Sequence, residues 1–140
     1  MVLLMNKILI VKTSWYEDHI SKMFEISKDI LGKEFKCLDA VAPGALELSA
    51  LASHKISTSD DKYKGIIFLG IVIRGETSHY DLVTQEAFRS IGVLSNNHSD
   101  IAIINNVICV ENMEQLDARL VKNTTNNSNA LIELVNEKSS

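Results

Sequence analysis

Short apolar runs alternate with segments of helical spacing along this chain. Runs rich in Ile, Val and Leu are typical of strands buried between other layers, and they cover residues 7–11, 34–38, 65–71 and 101–110. Between them, apolar residues recur every three or four positions. This spacing predicts helices over residues 20–31, 45–54, 82–93 and 112–121. Residues 130–135 either extend the last helix or form a fifth one.

Strand–helix alternation with short links predicts a parallel sheet with right-handed crossovers and helices on both faces. Sheets of this kind bind ligands outside the carboxyl ends of their strands. The expected site therefore combines residues 14–16, 42–47, 71–79 and 105–109. Residues 57–64 and 95–100 are predicted to be polar links. Residues 122–129 (KNTTNNSN) are poor helix formers, so we expect that segment to be mobile.

Length and composition narrow the class of protein. A chain of 140 residues predicts a single domain, 1–140. With 46% hydrophobic and 23% charged residues, the composition excludes a disordered protein. The net charge of −4 argues against a broad nucleic-acid-binding surface, which is basic. Residues 1–5 are apolar but too short for a signal or membrane segment, and we interpret them as the run-in to the first strand.

The two cysteines, Cys37 and Cys109, lie far apart and form no Cys-x-x-Cys or Cys/His motif. This spacing argues against a structural zinc site and against a disulfide framework. We expect two reduced, buried thiols in a cytoplasmic protein.

The densest group of chemically useful residues follows the third apolar run, at residues 70–81. Gly75 is expected to let the backbone turn sharply, and Thr77 or Ser78 to cap the following helix. The N–H groups at a helix start, together with the helix dipole, favour anions. His79 lies in this first turn, where an imidazole could transfer protons. The alternative is an ordinary strand-to-helix turn carrying a surface histidine.

Three further positions could serve a site at this edge of the sheet. Trp15 directly follows the first strand, where it could stack on a planar ligand or plug the core. Pro43 fits a helix start, which places Glu47 in the first turn, facing either solvent or the cleft. Arg119 could bind a phosphate, or it could be a solvated helix residue paired with Asp117 or Glu114.

The chain resembles the lumazine synthase family, the 6,7-dimethyl-8-ribityllumazine synthases. The resemblance covers almost the whole chain and is carried by residues 43–48 (PGALEL), 74–81 (RGETSHYD) and 111–119 (ENMEQLDAR). It implies a flavodoxin-like, three-layer α/β/α fold with a four-stranded parallel sheet. It also implies pentamers or multiples of pentamers, with the active site between adjacent subunits.

The implied reaction is the penultimate step of riboflavin biosynthesis. 5-Amino-6-(D-ribitylamino)uracil condenses with L-3,4-dihydroxy-2-butanone 4-phosphate, and phosphate and water leave. The resemblance implies no metal and no organic cofactor, and it suggests riboflavin synthase as a partner. By position, it implies that Trp15 stacks on the pyrimidine, Ala45 and Glu47 hold the ribityl chain, and the backbone of Ile71 and Val72 meets the uracil edge.

The same resemblance implies roles for the residues around the phosphate. Gly75, Glu76 and Thr77 match the phosphate loop, Arg119 matches the phosphate-binding arginine, and His79 matches the proton-transfer residue.

The chain departs from the family pattern at several positions. Asn105 stands where the family often has a phenylalanine that reaches into the neighbouring subunit's site. Residues 126–128 (NNS) replace the family's Asn-Lys-Gly, and Ala130 lies near the place of an acidic residue. Lys122 is a candidate substitute for the missing lysine.

Three functions remain in competition at this point: the enzyme, a member of the fold that holds a flavin or lumazine with little catalysis, and a structural shell protein. The presence of His79, Arg119 and the phosphate loop favours the enzyme.

Overall fold

The computed structural model describes residues 5–140. In chain order its elements are β1 (Lys7–Thr13), α1 (Glu17–Leu31), β2 (Lys36–Ala42), a short 3-10 turn (Ala45–Glu47), α2 (Leu48–Thr58), β3 (Tyr63–Ile73), α3 (His79–Asn97), β4 (Ala102–Val110) and α4 (Met113–Lys138). All strand pairs are parallel, and the sheet has the order β2-β1-β3-β4. Residues 1–4, predicted to lead into β1, lie outside the described residues.

Two hydrophobic layers enclose the sheet, because side chains alternate between its faces. On one face, Ile8 and Ile10 of β1 pack in a cluster with α1 and α4. On the other, Leu9 and Val11 pack in a cluster with α2 and α3. Each fully buried aliphatic side chain contributes roughly 1.5–3 kcal/mol. This arrangement confirms the predicted three-layer α/β/α fold and its four-stranded parallel sheet.

The predicted strands lie where the structure has strands, but the second was placed too early. Residues 34–38 were predicted, whereas β2 begins at Lys36. The N–H groups of Glu34 and Phe35 donate to the carbonyl of Leu31, at 3.1 and 2.9 Å. These residues therefore belong to the turn that ends α1.

The prediction that residues 122–129 form a mobile segment is wrong. It lies inside α4, which runs unbroken from Met113 to Lys138 and so extends through residues 130–135. Thr124 and Ser128 are fully buried. Their short side chains fit under the helix and bond inside the protein, so tertiary contacts outweigh poor helix propensity.

Buried hydrogen bonds fix this part of α4. Ser128 Oγ lies 2.8 Å from Ser27 Oγ of α1. Asn106 of β4 donates from Nδ2 to Thr124 Oγ1 at 3.1 Å, and its Oδ1 accepts from Asn127 Nδ2 at 2.7 Å. The polar residues that suggested mobility therefore join α4 to α1 and to β4.

Two predicted links are shorter than expected. Because α2 continues to Thr58 and α3 to Asn97, the helices take up the first part of each polar segment, 57–64 and 95–100. Among residues 5–140, no helix has the length and apolar character needed to span a membrane.

The two thiols are half-buried rather than fully buried, which corrects the prediction. Burial raises the pKa of Cys109 to about 11, and it also raises the pKa of Cys37, where nearby Lys28 acts in the opposite direction. The Cys109 thiol is therefore protonated at neutral pH and is a poor nucleophile.

Candidate active site

An open cleft of about 280 Å³ lies at the carboxyl ends of β1 and β3, beside the start of α3. Its size is near the lower end of ligand pockets, roughly 300–1,000 Å³. Except for Val83 of α3, the lining comes from three of the four segments predicted to form the site. The lining residues are Trp15, Tyr16, Gly44, Ala45, Leu46, Glu47, Ile71, Val72, Ile73, His79 and Val83.

Trp15 forms an exposed wall of this cleft. Its exposed fraction is 65%, which excludes the alternative of a core plug. The next residue, Tyr16, has a left-handed backbone (φ 57°, ψ 56°), and its carbonyl accepts the Ile20 N–H at 2.9 Å. The chain thus turns sharply from β1 into α1 at this point, and both aromatic residues line the cleft.

Glu47 and Trp15 both approach the backbone at Gly44. A methyl group at Gly44 would lie 3.1 Å from Glu47 Oε1 and 3.9 Å from Trp15 Nε1. Glu47 is exposed and lines the cleft, so it faces the cleft and solvent together. Pro43 was predicted to start a helix, but the 3-10 turn begins two residues later, at Ala45.

The end of β3 and the start of α3 supply the opposite wall. Ile71 is buried, Val72 is half-buried, and His79 is the exposed first residue of α3. The His79 N–H donates to Thr77 Oγ1 at 3.3 Å. Of the two predicted caps, Thr77 therefore provides the side-chain oxygen, while Ser78 makes no side-chain capping bond.

The predicted phosphate loop connects two residues of the cleft, Ile73 and His79. Gly75, Glu76 and Thr77 are exposed and do not themselves line it. Gly75 has no positive φ, and an added Cβ would meet no atom within 4 Å. The turn at Gly75 therefore does not use the conformational freedom of a glycine.

Asn105 lies away from the cleft, in the middle of β4, in register with Phe68. Its Oδ1 accepts the N–H of Val107 at 2.8 Å. None of residues 105–109 lines the cleft, because β4 is separated from β1 by the whole width of β3. The predicted contribution of residues 105–109 to the cleft of their own subunit is therefore not observed, whereas the implied place of Asn105 in a neighbouring subunit's site stays a prediction.

Arg119 also lies away from the cleft, exposed on α4. Its Nη1 donates to the carbonyl of Gln115 at 3.3 Å. The alternative pairing with Asp117 or Glu114 is not observed, since Asp117 Oδ1 lies 2.9 Å from His19 Nε2 instead. The residues that line the cleft include no lysine or arginine within the described part of the chain.

Sequence reasoning missed the cluster around Arg74. Its guanidinium pairs with Asp81 and with Glu111, and it stacks on Tyr80. The arginine belongs to the motif at residues 74–81, but Glu111 is 37 positions away in the sequence. Only the pairing of β3 with β4, and not any local motif, could have indicated this contact.

The known proteins to which this chain is similar share one family name. Residues 5–139 match the family model described as 6,7-dimethyl-8-ribityllumazine synthase. The chain belongs to this family. It is 38% identical over 116 residues to 6,7-dimethyl-8-ribityllumazine synthase 1 of Rhizobium meliloti (strain 1021), covering 80% of this chain and 75% of that protein. It is 36% identical over 117 residues to the synthase of Agrobacterium fabrum, covering 81% and 78%.

A third relative, the synthase of Methylobacillus flagellatus, is 34% identical over 97 residues, covering 69% of this chain and 63% of that protein. Membership of the lumazine synthase family confirms the predicted class. The protein is an enzyme of the penultimate step of riboflavin biosynthesis that acts on small molecules.

Proposed function

We propose that this lumazine synthase is catalytically active and joins its two substrates in the cleft described above. The pyrimidine amine attacks the butanone phosphate to form an imine, and phosphate loss, ring closure and dehydration follow. The observation that carries the proposal is the convergence of an exposed aromatic ring, a carboxylate and an imidazole in one cleft: Trp15, Glu47 and His79.

The pyrimidine occupies the space between the two walls of the cleft. The exposed ring of Trp15 stacks on its planar face. Glu47 accepts hydrogen bonds from hydroxyls of the ribityl chain, and Ala45 is small enough to let the chain lie close. The backbone at Ile71 and Val72 meets the polar edge of the uracil ring. Both residues pair with β4, but β1 pairs with β3 only as far as Leu69, so the opposite edge of β3 is open at this point.

The phosphate binds at the start of α3. Residues 75–77 (Gly75, Glu76, Thr77) form the loop, and the dipole of a 19-residue helix favours an anion there. His79 is the first residue of that helix and lines the cleft. It is therefore placed to move protons during imine formation and phosphate loss.

The cation for the phosphate comes from a neighbouring copy. The described lining of the cleft has no lysine or arginine, and Arg119 is exposed on α4 with only a backbone carbonyl as partner. A pentamer, or a multiple of it, brings Arg119 of one subunit to the cleft of the next. In that assembly Asn105 contributes a polar wall to the neighbouring site.

The cellular setting follows from the reaction. The whole chain acts as one lumazine synthase domain in the cytoplasm, where riboflavin synthase consumes its product. The proposed reaction uses no metal or organic cofactor, and it involves neither nucleic acid nor membrane.

A second candidate, a protein that holds a lumazine without turnover, is favoured by one observation. Asn127 stands at the place of the family's lysine. Its side chain donates a hydrogen bond to Asn106 and so helps to hold α4 against β4. Lys122 is exposed on α4, one turn beyond Arg119, and is the substitute we propose.

The test is turnover of the two substrates by the purified protein, followed by the fluorescence of the lumazine product. We expect saturable product formation that depends on both substrates. Calorimetric binding of the product without any turnover would instead establish the second candidate.

A further inference from the structure

The guanidinium of Arg74 joins two segments that lie on either side of the phosphate loop. Its Nε donates to Glu111 Oε2 at 2.7 Å, just after β4. Its Nη2 donates to Asp81 Oδ1 at 3.2 Å, in the first turn of α3. Its Cζ lies 4.2 Å from the centre of the Tyr80 ring. One side chain thus connects the end of β4 with the two residues that follow His79.

The backbone of the same residue is fixed as well. The Arg74 N–H donates to the carbonyl of Val110, the last residue of β4, at 2.9 Å. The loop over residues 75–78 therefore begins directly after Arg74, whose backbone is bonded to β4. It ends at α3, whose first turn is bonded to the side chain of the same arginine. Its two ends are fixed to one another through Arg74.

The charge of Arg74 is fully compensated, so it is not a phosphate ligand. Two carboxylates share the guanidinium. The hydrogen bond to Asp81 is the main cause that raises the pKa of Arg74; desolvation acts against it, and the charge of Asp81 and the contact with Glu111 add to it. A phosphate would have to compete with both carboxylates for the same N–H groups. The guanidinium instead uses its separate N–H groups to bond two carboxylates, those of Glu111 and Asp81.

Glu111 extends the connection to α4. Its N–H donates to Gln115 Oε1 at 2.8 Å, and the carbonyl of Gln115 accepts from Arg119 Nη1 at 3.3 Å. Gln115 in the first turn of α4 therefore links Glu111, which holds Arg74, to Arg119 in the second turn. The loop, the start of α3 and the start of α4 form one hydrogen-bonded unit.

We propose that Arg74 is a positioning residue of the lumazine synthase reaction, which holds the phosphate loop and His79 in register with the end of β4. This inference rests on the proposed function, because it assigns the loop to phosphate. Single exposed ion pairs contribute little to stability, and Arg74 is 37% exposed, so its main effect is on geometry. Small displacements of a reacting group lower rates steeply.

The experiment compares Arg74→Ala and Arg74→Lys with the matched control Arg89→Ala. Arg89 lies on α3, the helix that Arg74 bonds through Asp81, and it donates from Nε to Glu86 Oε2 at 2.8 Å, outside the cleft. We expect Arg74→Ala to lower kcat/KM for the butanone phosphate by roughly ten- to a hundred-fold, with the KM of the pyrimidine unchanged. Lysine should restore only part of this loss, since it cannot bond both carboxylates and stack on the ring. The control should match the wild type.

The outcomes separate the two proposals. If the wild type forms no product, the proposed function fails. If the wild type is active and Arg74→Ala has the kinetics of Arg89→Ala, the positioning role is overturned, whatever happens to Tm. Should Arg74→Ala fail to fold, Glu111→Gln keeps the shape of the partner and weakens the same contact. Wild-type kcat/KM in that variant would also overturn the proposal.

Discussion

Tyr16 shows how a single residue shapes the cleft. Its left-handed backbone costs about 1–2 kcal/mol for a residue with a Cβ. In return the chain turns at once from β1 into α1 and leaves Trp15 exposed beside Glu47. The sequence predicts an aromatic wall here, but it contains no sign of this conformation, because glycine or asparagine is the usual residue in that region.

Among single residues, His79 is the one whose replacement we expect to lower kcat while leaving substrate binding unchanged. His79→Ala removes the proposed proton-transfer group, and such a group is typically worth about 10²–10⁴-fold in rate. Because the condensation is feasible once the substrates are held together, we expect kcat to fall by only roughly ten- to a hundred-fold. Steady-state kinetics between about pH 6 and 8 measure this.

Pyrimidine binding by this variant, measured by quenching of Trp15 fluorescence, serves as the control and should be unchanged. A wild-type kcat in His79→Ala would mean that orientation alone carries the reaction.

Among the elements, β3 and α4 mark the limits of prediction from sequence. The central strand was predicted well, because a run buried on both faces is apolar throughout. The middle of α4 was predicted wrongly, because its polar residues have partners that are remote in sequence: Ser27 is 101 positions from Ser128. The same holds for the candidate site. The strand ends that line it could be predicted from the order of strands and helices, whereas the contact of Arg74 with Glu111 could not, because the two residues are remote in sequence.

The buried contact between α1 and α4 leads to a prediction for these elements. Ser128→Ala leaves the Ser27 hydroxyl without its partner in a fully buried place, so we expect a loss of about 1–3 kcal/mol in the free energy of unfolding. The double variant Ser27→Ala, Ser128→Ala removes both polar groups. It should be destabilised by less than the sum of the single variants.

Urea unfolding of the single and double variants measures this coupling, with Ser21→Ala, an exposed position on α1, as the control. Strict additivity would show that the two hydroxyls act independently.

For the whole molecule, the decisive feature is the separation of Arg119 from the cleft. If the site is shared between subunits, Arg119→Ala raises the KM of the butanone phosphate by about ten- to a hundred-fold. Co-assembly of Arg119→Ala chains with His79→Ala chains then regenerates intact sites. About one quarter of the interfaces in a random mixture would combine both native residues.

Activity of the co-expressed, co-purified mixture, compared with each variant alone, measures this complementation, and light scattering checks the pentamer. A mixture no more active than the mean of the two variants, or an active monomer, would place both residues in one subunit.

Asn105 has a consequence beyond the site. β4 is the last strand of the sheet, and strands in that position tend to recruit strands from other molecules through their open N–H and C=O groups. The Asn105 side chain occupies one of these donors, since it accepts the Val107 N–H. An aromatic residue at this position could not do so. We therefore expect Asn105, proposed above for the shared wall, also to protect the newly folded subunit from aggregating before it assembles.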